Sequence, residues 1–473
     1  MLVKTDPDQI QSYLADSSNM SGGYASGVAI PKDYKEVSSF LMDCSSKKIP
    51  VTVSGGGTGT VGGRIPFGGF VLSTEGLNRI IDIQDDYAVL QGGVFLLDLQ
   101  AQVLNAGRFY PPDSTEQLAT MGGNIATNAS GARSYHYGPT RDFVKSIKVA
   151  LSSGKIIEIE RGKYKTDESG FVKFNDLGIK VPSYDIPNVK NTAGYYVKKN
   201  MDPIDLFIGQ DGTLGVVLEA KVKLLKKPNF VFDCVSFFNN KDDALKFISD
   251  IRSVKSVLSI EYMDKNSLNL LRSDYPSIPK DAIAVIFEEQ SDDSPDYDKW
   301  NRILEKNNTL TDKIWLGDSP ASIDRIKKFR HRLPSALFEF FSSNNISKIS
   351  TDIAVPPDRL INMLDLYENV LIQNNLNYVI FGHIGQNHLH VNILPRNRNE
   401  FELSQKVYMS FVKAGISFGG TVSAEHGIGK LKKIYLEEMF GRKTILKMVS
   451  LKKEIDPSCI LGRGNVFDER LLD

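Results

Sequence analysis

The stretch Ile49-Pro-Val-Thr-Val-Ser-Gly-Gly-Gly-Thr-Gly-Thr-Val-Gly-Gly63 joins a short run of β-branched residues to a dense run of glycines. The first part predicts a buried strand over Ile49–Ser54. Because glycine has no Cβ, the backbone that follows can turn its N–H groups toward an anion and let a pyrophosphate approach closely. The stretch therefore predicts a strand that leads into a phosphate-binding loop.

Three interpretations of this loop compete. The first is a flexible turn that binds nothing. The second is a Rossmann dinucleotide site, because Gly57-Thr-Gly-Thr-Val-Gly62 matches the GxGxxG pattern after a strand. That motif needs a helix to begin at the loop, but Gly63-Arg-Ile-Pro-Phe-Gly-Gly69 is too rich in glycine and proline to support one. The third interpretation, which we favour, is a flavin cradle that binds pyrophosphate through loop backbone alone.

Two further glycine-rich loops support the flavin cradle. One, after Pro111-Pro-Asp-Ser114, runs from Thr120 to Gly131 and reads TMGGNIATNASG. The other, Ile208–Val217, reads IGQDGTLGVV. Each alone could be a turn between strands. Because all three loops combine glycine with small polar residues (Asn, Thr or Ser), we expect several loop backbones to line one extended ligand.

Length and charge exclude several classes of function. The chain has 473 residues and equal numbers of basic and acidic side chains, 57 of each, which predicts roughly two to four domains. The balanced charge gives no bulk reason to bind nucleic acid. No run approaches the ~20 apolar residues that span a bilayer, and the N-terminus has no apolar signal region. We expect a cytoplasmic protein, with peripheral membrane association left open.

The three cysteines, Cys44, Cys234 and Cys459, lack a CxxC spacing. This argues against a disulfide framework and against an internal iron–sulfur cluster, and favours buried or idle thiols.

The chain changes character along its length. Residues 1–227 are rich in glycine and short β-branched runs, and within them 161–190 are polar and predict an exposed insertion. Residues 228–425 alternate strands with amphipathic helices, and 426–473 return to glycine loops around one helix. The pattern predicts an α+β protein with a first domain, a second domain whose helices cover a sheet, and a C-terminal return segment.

Four of the six histidines lie between 383 and 426. His383, His388 and His390 belong to GHIGQNHLHVN, where period-two alternation places His388 and His390 on one strand face. Glu425 and His426 follow in SAEHG. Two imidazoles and a carboxylate with positions left open suit a catalytic divalent cation. A set of hydrogen-bonded core histidines is the alternative.

The order GGGTG, PPDS…MGGNIATNASG and GQDGTLGVVLEA, followed by the histidine motifs, resembles the vanillyl-alcohol-oxidase-like superfamily. The resemblance is closest to the group of D-lactate dehydrogenase, glycolate oxidase large subunit and D-2-hydroxyglutarate dehydrogenase. It implies a two-subdomain FAD-binding domain (the PCMH type) and a substrate (cap) domain with an antiparallel sheet.

The resemblance also assigns the cofactor contacts. It places the pyrophosphate at Gly55, Gly56, Gly57, Thr58, Gly59 and Thr60. It places the flavin ring and ribityl chain beside Gly122, Gly123, Asn128, Ser130 and Gly131, and the adenine side at Gly215 and Val217. Pro112, Asp113 and Met121 are further expected contacts.

Site chemistry follows from the same resemblance. It implies metal ligands at His383, His390 and Glu425, with zinc expected and manganese or iron as alternatives. It makes His426 the general base and Arg330 the binder of the substrate carboxylate. The sequence departs from the family at Gln386-Asn387-His388, where Asp, Gly and Asn are usual, at Lys327 and His331 around the arginine, and at Asn465, where the family has a basic residue.

The implied function is oxidation of a D-2-hydroxy acid, such as D-lactate, glycolate or 2-hydroxyglutarate, by metal-assisted hydride transfer to flavin N5. A separate acceptor (an electron-transfer flavoprotein, a quinone-linked partner or an iron–sulfur partner) would take the electrons, and homodimerisation is left open. Covalent attachment of FAD through His136 is weighed and not favoured. The alternatives are a non-catalytic flavin-binding accessory subunit and a flavin-dependent alkyl-transferase of the same fold.

Overall fold

The computed structural model describes residues 1–174, 176–292, 294–344, 346 and 348–473. Its strands, in chain order, are β1 (Leu2–Lys4), β2 (Gly27–Ile30), β3 (Val51–Ser54), β4 (Phe70–Ser73), β5 (Ile80–Ile83), β6 (Tyr87–Gln91), β7 (Arg108–Phe109), β8 (Val144–Ala150), β9 (Ile156–Glu160), β10 (Phe171–Phe174), β11 (Leu177–Lys180), β12 (Val216–Lys223), β13 (Leu225–Lys226), β14 (Phe230–Phe238), β15 (Val257–Met263), β16 (Ile283–Ser291), β17 (Trp315–Gly317), β18 (Ile349–Ser350), β19 (Ile353–Ala354), β20 (Tyr378–Gly382) and β21 (His388–Ile393). Its helices are α1 (Pro7–Ile10), α2 (Tyr34–Ser46), α3 (Leu96–Asn105), α4 (Met121–Thr127), α5 (Ser134–Tyr137), α6 (Lys241–Arg252), α7 (Lys265–Leu271), α8 (Tyr297–Lys306), α9 (Pro320–Ser343), α10 (Leu360–Gln373), α11 (Arg398–Ser417) and α12 (Lys433–Ile455).

The chain divides into two compact units. Unit 1 comprises Met1–Gly131, Pro139–Lys227 and Val422–Asp473, and unit 2 comprises Ala132–Gly138 and Pro228–Thr421. The predicted boundaries at 228, 425 and 426 differ from this division in two places. The short segment with α5 belongs to unit 2, and the return to unit 1 begins at Val422, where the Thr192 amide donates to the Ser423 carbonyl (2.8 Å).

Unit 1 contains a mixed sheet and an antiparallel sheet. The mixed sheet has the order β1-β2-β4-β3, with β2, β4 and β3 parallel, and the antiparallel sheet has the order β5-β6-β12-β8-β9. Their shared core includes Leu41 of α2, Leu72 of β4 and Leu218 of β12. The glycine loop therefore begins at the end of β3, which is a buried parallel strand. Phosphate-binding loops commonly begin at the end of such a strand.

The second glycine-rich loop is partly helical, which corrects its prediction as a loop. Helix α4 covers the first half of that stretch; the Thr120 side chain accepts from the Gly123 amide at its start, and Asn128 ends it in the left-handed conformation. Two adjacent glycines have low helix propensity, so the local sequence argues for a loop. The two caps and the surrounding packing outweigh that preference.

Unit 2 is built on an antiparallel sheet of order β17-β14-β16-β15-β20-β21-β18, with β19 also pairing β21. On one face, Val235, Ile286 and Met263 pack against α7 and α9. The opposite face carries Phe232 and Phe287, which pack against Trp300 of α8. This arrangement confirms the predicted α+β class and the antiparallel sheet of the second domain.

The predicted insertion is less exposed than its polar composition indicated. Strands β10 and β11 pair within it, and Val172, Phe174 and Ile179 are buried. Asn175, inside this stretch, lies outside the described residues. Cys44, Cys234 and Cys459 are buried free thiols, as predicted.

In the part of the chain that the structure describes, no helix combines the length and apolar character needed to cross a membrane.

Candidate active site

The glycine loop after β3 is not a Rossmann loop. Between Gly55 and Gly69 the chain forms turns and bends, and no helix begins before β4. A Rossmann site would aim a helix N-terminus at the phosphates, so the GxGxxG match at Gly57 has no such role. In this loop, the groups that can bind an anion belong to its own backbone.

Backbone donors for an anion are present in this loop. Within the described chain, the amides from Gly56 to Thr60 donate no hydrogen bond to a protein acceptor. Gly57 has a φ of 79°, in the left-handed region, and successive amides in such conformations form anion-binding concavities. These residues are exposed or half-buried, so a ligand can reach them. The donor set fits a pyrophosphate.

Unit 1 brings the glycine-rich stretches together, as predicted for one extended ligand. A Cβ built on Gly55 would lie 2.3 Å from the Thr120 hydroxyl oxygen, and one built on Gly56 would lie 2.1 Å from the Leu118 carbonyl oxygen. The Gly122 amide donates to the Gly92 carbonyl at 2.7 Å, and a Cβ on Gly92 would lie 2.2 Å from the Val217 carbonyl oxygen. At these positions the neighbouring atoms leave no room for a Cβ, so only glycine fits.

The other predicted cofactor residues belong to the same assembly. Gly131 lies against Asp113, since a Cβ there would be 1.7 Å from the Asp113 carbonyl oxygen. The Asn128 side chain accepts from the Arg141 amide at 2.9 Å. Pro112, Met121 and Gly215 are buried, whereas Gly123, Ser130, Thr58, Gly59 and Thr60 are partly exposed. Their contacts with FAD stay a prediction, and the cradle fits that cofactor.

Gly57→Ala is expected to lower FAD affinity by at least about tenfold, or ~1.4 kcal/mol. The new Cβ would lie 1.6 Å from Arg64 Nη1, so the Arg64 side chain and the loop backbone have to move apart. Gly107→Ala is the matched control, because Gly107 also has a positive φ, 69°, but no atom within 4 Å of the built Cβ. Retained flavin in purified protein measures the effect; equal flavin content in both variants would contradict it.

In unit 2, three histidines cluster on the β20–β21 hairpin. Phe381 pairs with His390 across the hairpin, and His383 precedes the tight turn Ile384–Gln386. The ring centroids are 4.5 Å apart for His388 and His390, 5.6 Å for His383 and His388, and 5.8 Å for His383 and His390. One ligand nitrogen from each ring lies within 4.8 Å of the others.

Hydrogen-bond acceptors orient these rings. His383 Nδ1 lies 2.7 Å from Glu261 Oε1, and His390 Nδ1 lies 3.0 Å from the Thr351 carbonyl oxygen. Because both partners only accept, each Nδ1 donates its proton and each Nε2 keeps a lone pair. Metal-binding histidines are held in this way by a carboxylate or carbonyl at the second nitrogen. The donor set therefore fits a divalent cation.

In unit 1, Glu425 and His426 lie on the loop that follows Val422. Glu425 Oε2 is ion-paired with Lys190, and both side chains are at least 90% buried. His426 Nε2 lies 3.7 Å from Glu425 Oε1. The second carboxylate oxygen therefore faces the imidazole rather than the lysine. Because Glu425 belongs to unit 1 and the histidine cluster to unit 2, the predicted ligand set stays a prediction.

Asp211 clamps the same loop. Its Oδ2 accepts from the amides of Ile428 (2.8 Å) and Gly429 (3.0 Å), and Thr192 Oγ1 accepts from the Gly427 amide (3.1 Å). Sequence reasoning missed Asp211, Thr192 and Lys190 in this role. Lys190 was placed in an exposed insertion, and its distance along the chain from Glu425 leaves no local pattern to find.

Burial raises the pKa of the Asp211 carboxyl to about 6, although the two loop amides oppose the rise. The folded protein therefore binds this proton more tightly than the unfolded chain, whose Asp pKa is ~3.9. The Asp211 contribution to stability is most favourable below about pH 4 and falls as the pH rises toward 6. Over that window, the unfolding free energy of the wild type should fall relative to Asp211→Asn by about 1–3 kcal/mol. Urea denaturation of both proteins at each pH measures it; a constant difference would contradict it.

Arg330 lies on α9 of unit 2 and is half-buried. Its Nη2 lies 3.1 Å from His331 Nε2, and within the described residues no carboxylate forms an ion pair with it. Asp233 and Glu288 are opposed on neighbouring strands. Burial, followed by repulsion from Glu288, raises the pKa of the Asp233 carboxyl to about 7. The positive charges of Lys327 and Arg330 oppose this rise. The Arg330 guanidinium thus interacts electrostatically with two carboxyl groups, and its contact with a substrate carboxylate stays a prediction.

Comparison with known proteins gives the class of this protein. A family model described as "FAD binding domain" matches residues 25–160, and one described as "FAD linked oxidases, C-terminal domain" matches residues 229–466. Solved structures titled alkyldihydroxyacetonephosphate synthase share the fold, with a TM-score of 0.69 at 17% identity, over 97% of this chain and 81% of theirs. At that identity the likeness concerns the fold alone. The class is an FAD-binding oxidoreductase.

Relatives narrow the class to a family. Glycolate oxidase subunit GlcD of Bacillus subtilis is 31% identical over 96% of this chain and 92% of its own. A D-lactate dehydrogenase of Anaerostipes hadrus is 28% identical over 91% and 87%, and a D-2-hydroxyglutarate dehydrogenase of Xanthomonas citri is 27% identical over 98% and 94%. The chain belongs to the FAD-linked oxidase family, which confirms the resemblance in the sequence.

Proposed function

We propose that this protein oxidises a D-2-hydroxy acid to the corresponding 2-oxo acid, with FAD as electron acceptor and a divalent cation, zinc or alternatively manganese or iron, at the histidine cluster. The observation that carries the proposal is the set of imidazoles on β20–β21, two of which are fixed at Nδ1 by acceptors. Such a donor set in an FAD-linked oxidase suits a reaction that needs both an electron acceptor and a Lewis acid.

The names of the relatives support the substrate class. Glycolate, D-lactate and D-2-hydroxyglutarate each carry a hydroxyl group next to a carboxylate, and the relatives named for them match nearly the whole chain. This shared pair of oxygens is the chemistry that the site has to recognise.

Each protein group in the proposal has one task. When bound, FAD supplies a two-electron acceptor for the hydrogen on the substrate Cα, and a divalent cation held by His383, His390 and Glu425 supplies Lewis acidity at the hydroxyl and carboxylate oxygens. His426 takes the hydroxyl proton, since an imidazole titrates near neutral pH. Arg330 orients the carboxylate, for which a guanidinium fork is well shaped.

The two electrons must then leave the protein. Its cysteines are buried free thiols without a cluster spacing, so we infer a separate acceptor: an electron-transfer flavoprotein, a quinone-linked partner or an iron–sulfur partner.

Asn465, which replaces a basic residue of the family motif, binds the Lys430 ammonium through its Oδ1 (2.7 Å). The Lys430 ammonium therefore places a positive charge next to the position where the family has a basic residue.

The proposal is tested by mixing the oxidised holoprotein anaerobically with matched D- and L-2-hydroxy acids and following the visible flavin absorbance. We expect bleaching by at least one D acid, no bleaching by its L enantiomer, and recovery of the 2-oxo acid. Bleaching without a 2-oxo product would instead favour a redox-neutral transferase, and no bleaching by any acid would favour an accessory subunit.

A further inference from the structure

The sequence His388-Leu-His390 places two imidazoles on one face of β21. Residues two apart along a strand lie about 6.6 Å apart and point the same way. Both side chains are buried, His388 completely, and their rings approach to 4.5 Å between centroids. His383 on the other arm of the hairpin completes a group of three nitrogens within 4.8 Å. The hairpin therefore presents three imidazoles, not two, to one point.

His388 has a buried carboxylate beside one of its ring nitrogens. Its Nε2 lies 3.0 Å from Asp352 Oδ1, and both side chains are at most 1% exposed. The contact has the distance of an ion pair and lacks the geometry of a hydrogen bond. All three rings thus have one nitrogen within 3.0 Å of an oxygen, which belongs to Glu261, Thr351 or Asp352. This is the second contact that metal-binding histidines show.

We propose that His388 is a third imidazole ligand of the divalent cation, oriented by Asp352, and that it sets which metal this protein holds. The inference rests on the proposed function. Nitrogen ligands favour zinc, iron, nickel and copper, whereas carboxylate and water favour magnesium and manganese. A third imidazole therefore selects zinc over manganese more strongly than two would.

The first measurement needs no variant. Holoprotein loaded with zinc or cobalt is examined by X-ray absorption, which counts imidazole ligands from multiple scattering. The proposal expects three imidazoles in the wild type. A count of two would overturn it while leaving the proposed function intact, and a protein that binds no divalent cation would overturn both.

The second measurement compares His388→Asn with the matched control His136→Asn, which removes an exposed imidazole from the same unit. For His388→Asn we expect two imidazole ligands in the X-ray absorption count and at least about a tenfold loss of zinc affinity. We also expect a smaller ratio of zinc affinity to manganese affinity than in the wild type. His136→Asn should match the wild type in all three. Unchanged imidazole count and metal preference in His388→Asn would overturn the proposal, whatever the activity of the variant.

Asp352→Asn separates positioning from ligation. If Asp352 only orients His388, the variant keeps three imidazoles and binds zinc more weakly, by about 10–100-fold. An unchanged imidazole count in His388→Asn, together with the loss of an oxygen ligand in Asp352→Asn, would make Asp352 the ligand and contradict the assignment.

Discussion

His426→Ala is expected to slow flavin reduction by a D-2-hydroxy acid by about 10²–10⁴-fold, the usual contribution of a general base. FAD and metal content should stay at wild-type levels, because the loop carrying His426 is clamped through the backbone amides of Ile428 and Gly429 by Asp211. Stopped-flow absorbance under anaerobic conditions measures the rate.

His136→Ala is the control for this loss. His136 is exposed and lies 3.5 Å from Gln290, far along the chain from the proposed base. Its rate of flavin reduction should equal that of the wild type. A His426→Ala protein that reduces its flavin normally across the panel would remove His426 from the reaction.

His390→Ala is expected to lose the divalent cation and, with it, at least about 10³ in the rate of flavin reduction, since Lewis-acid stabilisation contributes several kcal/mol. His390 is 8% exposed, and its Nδ1 is bonded to the Thr351 carbonyl oxygen, so Nε2 is the metal-binding nitrogen that the variant loses. Metal content by mass spectrometry and the stopped-flow rate are measured on the same preparation.

Added zinc gives the counter-test for His390→Ala. The wild type stripped by a chelator should regain its rate when zinc returns, whereas the variant should not. Full metal content in His390→Ala, or an unchanged rate in the stripped wild type, would be incompatible with the proposed site.

The strands and helices of unit 2 could be predicted because their side-chain periodicity is long and regular. Residues 228–425 were predicted to alternate strands with amphipathic helices, and β14 (Phe230–Phe238) and α9 (Pro320–Ser343) are one of each, α9 with Pro334 inside it. Spacing along one element reports which face is buried. The same reasoning placed His388 and His390 on one face.

Contacts between distant segments could not be predicted. Lys190 lies 235 positions before Glu425 and has no periodic relation to it, yet the two side chains form a buried ion pair. Asp352 likewise lies beside His388 only because β19 pairs with β21. Local glycine propensity likewise predicted a loop where α4 is formed by its tertiary surroundings.

The most direct test of the account is one turnover of the holoprotein with a D-2-hydroxy acid that carries deuterium at Cα. Transfer of that hydrogen to the flavin predicts full bleaching at a rate several-fold lower than with the protiated acid, and one 2-oxo acid formed per flavin. Failure of the D acids to bleach the flavin, or bleaching without any 2-oxo acid, would contradict it.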